Sequence, residues 1–273
     1  MAEPTISSPS NPRVKTLGAL RRRRIREETG TTLVEGYDEL LLALDAGVVP
    51  VAIYGCPELM SSPRAWMVLT MHAERSGVEL VRLGHRAFAR VAYRDHPDGV
   101  LAVVPAPGYP LARLRLTPDP LVVIGERIEK PGNLGAVLRS ADAAGAAAVI
   151  SADPVTDWGN PNVIRASKAT VFSVPVSAAP TEQVLAWVRE RGLRLVATSP
   201  QAETDYLDQD YAAPVAVAVG AEDVGLSEAV LAAADARVRL PMAGRVNSLN
   251  VSTAAAVVLF EAVRQRRVAA RGG

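Results

Sequence analysis

The chain has 273 residues, 49% of them hydrophobic and 22% charged, with 30 basic and 29 acidic side chains and a formal net charge of +1. That length and apolar content support a substantial buried core, enough for two domains, and exclude a disordered chain. The one cysteine, Cys56, excludes an internal disulfide and a multi-cysteine zinc site. The histidines His72, His85 and His96 lack metal spacing, so no metal is expected. No apolar run is long enough to span a bilayer, and Met1 to Arg24 turns from polar to basic without a signal-peptide core. A cytoplasmic protein with no membrane attachment is expected.

In chain order, residues 11–26 read as one basic helix, and Arg13, Lys15, Arg21, Arg22, Arg23, Arg24 and Arg26 crowd it. Such a run is either a positive field for a polyanionic partner or a solvated helix face. Only Lys15, Lys130 and Lys168 are lysines. The arginine excess has two explanations, the codon bias of a GC-rich genome or guanidinium groups suited to phosphate and base contacts. A strand follows over 32–35, then a helix opened by Gly36 in which Leu40, Leu41 and Leu44 recur at helical spacing. Strands at 49–54, 79–83 and 99–104 and a helix at 65–76 complete a small α/β unit. Pro105, Pro107, Pro110, Pro118 and Pro120 then interrupt all periodicity. The expected organisation is a first domain over 1–105, a proline-rich linker over 106–120 and a second domain over 121–273.

The second half alternates apolar strands (121–125, 147–151, 171–175, 194–198, 215–220, 237–240) with helices (134–144, 181–191, 227–234, 249–267), the pattern of an open parallel sheet. Ligands bind such sheets outside the carboxyl ends of the strands, so the loops after Gly125, Thr198, Gly220 and Leu240 matter most. No Gly-x-Gly-x-x-Gly fingerprint follows the first of these strands, which argues against a nucleotide-dependent oxidoreductase.

Three polar constellations fall on those loops. In Lys130-Pro131-Gly132-Asn133-Leu134-Gly135, Asn133 is a helix-cap type, and Arg139 follows among Ala136, Val137, Leu138 and Ala141. A charge on a helix suited to burial needs a partner, and a salt bridge to Asp142 or Glu126 is as good a reading as a functional one. Gly220-Ala221-Glu222-Asp223-Val224-Gly225-Leu226-Ser227 leaves a strand and enters a helix capped by Ser227, which holds Glu222 at the carboxyl edge of the sheet. Arg245-Val246-Asn247-Ser248-Leu249-Asn250-Val251-Ser252 follows Leu240-Pro241-Met242. Capping accounts for Ser248 or Asn250 alone, but not for Asn247, Ser248, Asn250 and Ser252 together.

Asn-x-Gly-x-x-x-Arg, Gly-x-Glu-x-x-Gly-Leu-Ser and Pro-Met with Ser-Leu-Asn-Val-Ser, in this order over residues 121–267, resemble the three motifs of the SpoU (TrmH-like) family of RNA ribose 2′-O-methyltransferases. Asn11-Pro12-Arg13-Val14-Lys15 and Leu33-Val34-Glu35-Gly36 resemble that family's small L30e-like RNA substrate-binding domain. The resemblance implies an α/β parallel sheet whose carboxyl-terminal part is tied in a deep trefoil knot, a homodimer, and S-adenosylmethionine as cofactor. It implies a cofactor pocket of Thr198, Gly220, Ala221, Glu222, Leu240, Met242, Ser248 and Leu249. Asn133, Arg139, Glu222, Ser248 and Asn250 match the catalytic positions, and Arg13, Lys15, Arg21, Arg22, Arg23 and Arg24 would contact RNA. Arg165 would clamp a phosphate from the facing subunit, or is an ordinary surface arginine. Ser140, Ala144 and Ala221 depart from residues common in the family, and none removes a reacting group.

Gly125 to Asn133 and Arg165-Ala166-Ser167 look closest to the branch that modifies a uridine or adenosine of 23S rRNA and confers avilamycin-type or thiostrepton-type resistance. With no histidine in the second half, the resemblance gives the proton-handling role to Arg139 acting with an RNA phosphate. Orienting the hydroxyl and stabilising developing charge is the easier task for a guanidinium, and both roles stay open. The rival readings are a non-catalytic RNA-binding protein on the same fold and a tRNA 2′-O-methyltransferase.

Overall fold

A computed structural model describes residues 5–245 and 247–272; residues 1–4, Gly273 and Val246 of the polar segment lie outside the described residues. The chain divides into two compact units, one of residues up to Pro107 with Trp158–Ser173, the other of Gly108–Asp157 with residues from Val174 onward.

The first unit begins with α1 (Pro12–Ala19) and α2 (Arg23–Thr29). The single basic helix expected over 11–26 is therefore two helices. The break at 20–22 has a cause in Arg26, which is buried and donates to the carbonyls of Leu20 and Arg21 at 2.9 Å each. There follow β1 (Thr31–Glu35), α3 (Tyr37–Asp45), β2 (Ala52–Gly55), α4 (Pro63–Ser76), β3 (Glu79–Arg82), α5 (His85–Val91) and β4 (Val100–Pro105). The sheet order is β1-β4-β2-β3, with β4 antiparallel to both neighbours and β2 parallel to β3. Leu17, Leu33, Tyr54, Phe88 and Leu101 share its core.

The Leu33–Gly36 motif has a packing role. Glu35 is buried and accepts from the Tyr93 amide at 2.7 Å and the Arg94 amide at 3.3 Å. Burial pushes its carboxyl up, and the two amides oppose that shift. Gly36 has φ +120°, and a Cβ there would strike the Glu39 carboxylate and the Arg94 guanidinium, which pair at 2.8 Å.

The second half contributes β5 (Leu121–Glu126), α6 (Pro131–Ala143), β6 (Ala148–Ala152), α7 (Pro161–Ala166), β7 (Val176–Ala179), α8 (Thr181–Glu190), β8 (Arg194–Thr198), β9 (Thr204–Asp205), β10 (Val215–Val219), α9 (Glu228–Ala233), β11 (Ala236–Arg239) and α10 (Val251–Gly272). Of these, α7 belongs with the first unit. There the Thr32 hydroxyl donates to the Gly159 carbonyl, and Lys168 pairs with Glu39 at 3.4 Å. The strand expected over 171–175 does not form. Lys168 and Ala169 turn left-handed, with φ 54° and 60°, and lead into a 3-10 turn at Thr170–Phe172 before β7.

The other strands build a seven-stranded sheet in the order β7-β6-β5-β10-β8-β11-β9 with every pairing parallel. This is the expected α/β architecture. β5, β6 and β10 are buried along their length, as strands covered on both faces must be. Because β10 returns between β5 and β8, the loops leaving β8, β10 and β11 lie side by side at the carboxyl edge. α10 packs against α6, and its Arg266 donates to the carbonyls of Asp119 (2.7 Å), Pro120 (3.1 Å), Tyr211 (3.0 Å) and Ala213 (2.9 Å). Among the described residues no helix is long and apolar enough to cross a membrane.

Candidate functional site

The loop between β10 and α9 is folded tightly on itself. Ala221 bridges Gly225, whose amide donates to the Ala221 carbonyl at 3.0 Å, and Gly225 has φ +68°. A Cβ on Gly220 would run into the Gly225 carbonyl group and the Leu226 amide, so both glycines of Gly-x-Glu-x-x-Gly answer to backbone geometry. The foot of the loop is pinned by Glu126, fully buried at the end of β5. Glu126 accepts from the Ser227 amide and hydroxyl, both at 2.7 Å, and from the Thr181 hydroxyl at 3.1 Å. Sequence reasoning weighed Glu126 only as a partner for Arg139. A carboxylate ending an otherwise apolar strand was the available signal.

Glu222 projects from this loop into a cluster drawn from all three constellations. Its Oε1 accepts from Asn133 Nδ2 at 2.6 Å and from Asn250 Nδ2 at 2.7 Å, while Lys130 Nζ pairs with Oε2. Asn250 also donates to Asn133 Oδ1 at 3.2 Å. The Lys130 ammonium holds the Glu222 carboxyl below the usual carboxylate range, with partial desolvation opposing and Asn133 assisting. Asn133 does not cap α6. That position falls to Lys130 with Pro131 in the first turn, which leaves the Asn133 amide free to face Glu222. Asn250 does both jobs, because its Oδ1 accepts from the Ser252 amide (2.9 Å) and hydroxyl (2.6 Å) at the start of α10.

Beside the cluster lies a cavity of about 310 Å³, within the size range of small-molecule sites. Thr198, Gly220, Ala221, Glu222, Leu240, Met242, Ser248 and Leu249 all line it, together with Asn247 of the third constellation and with Ser199 and Gln201, which sequence reasoning did not single out. A second hollow of about 210 Å³ shares Ala221, Glu222, Asp223 and Val251 with the first and adds Ile128, Lys130 and Asn133. Glu222, the centre of the polar cluster, is thus part of the wall common to both, and Lys130 and Asn133 face the second hollow.

Arg139 is not in this cluster and lines neither cavity. The burial expected for it is corrected: Leu134, Val137, Leu138 and Ala141 form the inner face of α6, and Arg139, one position past Leu138, is exposed. It makes no ion pair with Asp142 or Glu126, and solvent removes the need for one. Arg165 is exposed on α7. In the basic run, Arg13 pairs with Glu79 at 2.6 Å, Arg23 with Glu27 at 2.7 Å and Arg24 with Glu28 at 2.6 Å. Arg21 reaches the Ala92 and Val91 carbonyls and lies 4.8 Å over the Tyr93 ring. Lys15 and Arg22 are exposed.

Residues 120–260, more than half of the chain, match the SpoU rRNA Methylase family. The chain belongs to that family. Residues 11–102 of this SpoU chain match the MRM3-like substrate binding domain. A 23S rRNA (uridine(2479)-2′-O)-methyltransferase of Streptomyces viridochromogenes is 34% identical over 257 residues, covering 90% of the SpoU chain and 87% of that protein. A tRNA (guanosine(18)-2′-O)-methyltransferase of Thermus thermophilus is 42% identical over 155 residues, 56% of this chain and 78% of that one. The structure of the SpoU methyltransferase AviRb from Streptomyces viridochromogenes, in complex with the cofactor AdoMet, has a TM-score of 0.86 at 32% identity, covering 94% of this chain and 98% of that one.

Proposed function

We propose that this SpoU-family chain transfers a methyl group from S-adenosylmethionine to a ribose 2′-oxygen of 23S rRNA, on a uridine or adenosine, and that the modification confers antibiotic resistance. The observation that carries the reading is the meeting of Asn133 and Asn250 on the carboxylate of Glu222, which itself lines the 310 Å³ cavity. The cavity fits the cofactor in chemistry as well as size. Leu240, Met242 and Leu249 offer apolar surface to an adenine ring and the methylenes of a methionine chain, while Thr198, Ser248 and the backbone at Gly220 offer polar contacts. Bound there, S-adenosylmethionine supplies an electrophilic sulfonium methyl.

The protein's task is then placement and charge. In this account Asn133 and Glu222 orient the ribose from the adjoining 210 Å³ hollow, Asn250 holds both in place, and Lys130 pairs with the Glu222 carboxylate and lowers its pKa. Exposed Arg139 meets an RNA phosphate and stabilises charge as the hydroxyl gives up its proton to solvent water, since a guanidinium is a poor base. Arg165 serves the partner subunit of a homodimer, and the β10–α9 and β11–α10 loops form the family's trefoil knot. The first unit selects the RNA in the cytoplasm.

Ribosomal RNA is favoured over tRNA because the match to the 23S enzyme runs through both units, whereas the match to the tRNA enzyme covers 56% of the chain. A non-catalytic RNA-binding role would leave the polar cluster without a purpose. The test is transfer of radiolabelled methyl from S-adenosylmethionine to 23S rRNA and to tRNA, beside growth of an avilamycin-sensitive host expressing the chain. Methylated 23S rRNA with raised resistance supports the full reading, methylated tRNA alone replaces the substrate, and methylated 23S rRNA without resistance removes the resistance role.

A further inference from the structure

In the first unit a hollow of about 410 Å³ lies between α1, the turn at 20–22 and α5, and Lys15, Arg21, Arg22 and Arg90 all line it. Among the described residues no carboxylate lines it, and the rest of its lining is Pro9, Val14, Gly18 and Ala19. The basic run reads differently in this light. Arg13, Arg23 and Arg24 are each held by a glutamate, at Glu79, Glu27 and Glu28. Buried Arg26 fixes the 20–22 turn from beneath through the Leu20 and Arg21 carbonyls. Arg21 is fixed in turn by the Ala92 and Val91 carbonyls and the Tyr93 ring. The surrounding side chains thereby set the shape of a concave site whose charged lining, among the described residues, is cationic. Arg90 comes from α5, well outside the basic run, so charge density along the sequence gave no sign of it.

We infer that this hollow is a seat for the RNA sugar–phosphate backbone, with Lys15, Arg22 and Arg90 as the phosphate-contacting residues and Arg21 as a braced wall. Convergent cations without a carboxylate meet a polyanion at little cost in lost ion pairs, and guanidinium forks suit phosphate oxygens. The paired Arg23 and Arg24 would have to surrender their glutamates to do the same. The inference rests on the reading of the chain as an RNA methyltransferase and names where that RNA is gripped.

The experiment compares full-length Lys15→Gln/Arg22→Gln/Arg90→Gln with Arg23→Gln/Arg24→Gln and the unaltered chain, using transcribed 23S rRNA as the probe across a salt series. The expected result for the triple variant is affinity about tenfold or more weaker at low salt, with the slope of log affinity against log salt reduced by about 2, at about 0.7 per phosphate contact. The Arg23/Arg24 variant is expected to stay within about threefold of the unaltered chain. Thermal melting followed by circular dichroism shows that each variant is folded, the altered residues lying in the first unit. Equal losses in both variants, or an unchanged salt slope in the triple variant, overturn the inference. Failure of the unaltered chain to methylate any RNA sinks the functional reading instead, and the two failures are read from different assays.

Discussion

Asn250 and Asn133 stand 117 residues apart in the chain, yet one amide donates to the other at 3.2 Å and both donate to the same oxygen of Glu222. Asn250 also caps α10 with its carbonyl end, so its two functions can be separated by substitution. Asn250→Ala should cost about 1 kcal/mol of stability from the lost cap and abolish methyl transfer. Asn250→Ser retains capping ability and loses the reach to Glu222, so melting should stay near that of the unaltered chain while methyl transfer falls about a hundredfold. A Ser variant with full turnover would show that Asn250 is only a cap.

Glu126 offers a second test. Its carboxylate accepts three hydrogen bonds and has no access to water. Glu126→Gln places an amide donor against the Ser227 and Thr181 donors, which should cost about 1–3 kcal/mol and loosen the loop that carries Glu222. Thermal melting and calorimetry with S-adenosylmethionine should fall together. Loss of stability with cofactor affinity intact would confine Glu126 to the fold.

The Lys130–Glu222 pair sets a pH dependence. Lys130 lowers the folded-state pKa of Glu222, so the pair's contribution is present above the unfolded carboxylate value of about 4.3 and is lost as pH falls through the lower folded value. Lys130→Met removes the leading cause of that depression. The acid limb of the methyl-transfer rate should move to higher pH, while the melting temperature at pH 7 changes little because Lys130 is exposed. An unmoved acid limb would assign it to another group.

Cys56 should be chemically silent. It is fully buried, and burial together with nearby Glu58 pushes its thiol up to about 11. Thiol reagents at pH 8 should modify it only on denaturation, and rapid labelling of the native protein would contradict its placement.

The sheet was legible because β5, β10 and β8 are short, β-branched and bounded by Gly, Pro or polar loops. The eight cavity residues were legible through motif resemblance, since their contribution is in large part backbone and shape. Three features were not. The segment at Trp158–Ser173 joins the first unit through Thr32 and Glu39, contacts that no local periodicity records. Arg139 looked buried because its neighbours are apolar, but one residue along a helix is a rotation of about 100°, enough to reach solvent. Arg26 looked like one more surface cation of the basic run, and the carbonyls it binds come from the end of α1 and the turn beyond it.

Arg139 decides the account. It is exposed, so Arg139→Ala should leave the melting temperature and S-adenosylmethionine affinity unchanged. The most direct measurement is mapping of 2′-O-methyl riboses on 23S rRNA treated with S-adenosylmethionine and either the unaltered chain or this variant. The account predicts one ribose methylated by the unaltered chain and none by the variant. Equal methylation by both would contradict the role given to Arg139, and no methylation by a chain that binds S-adenosylmethionine would contradict the proposed activity on 23S rRNA.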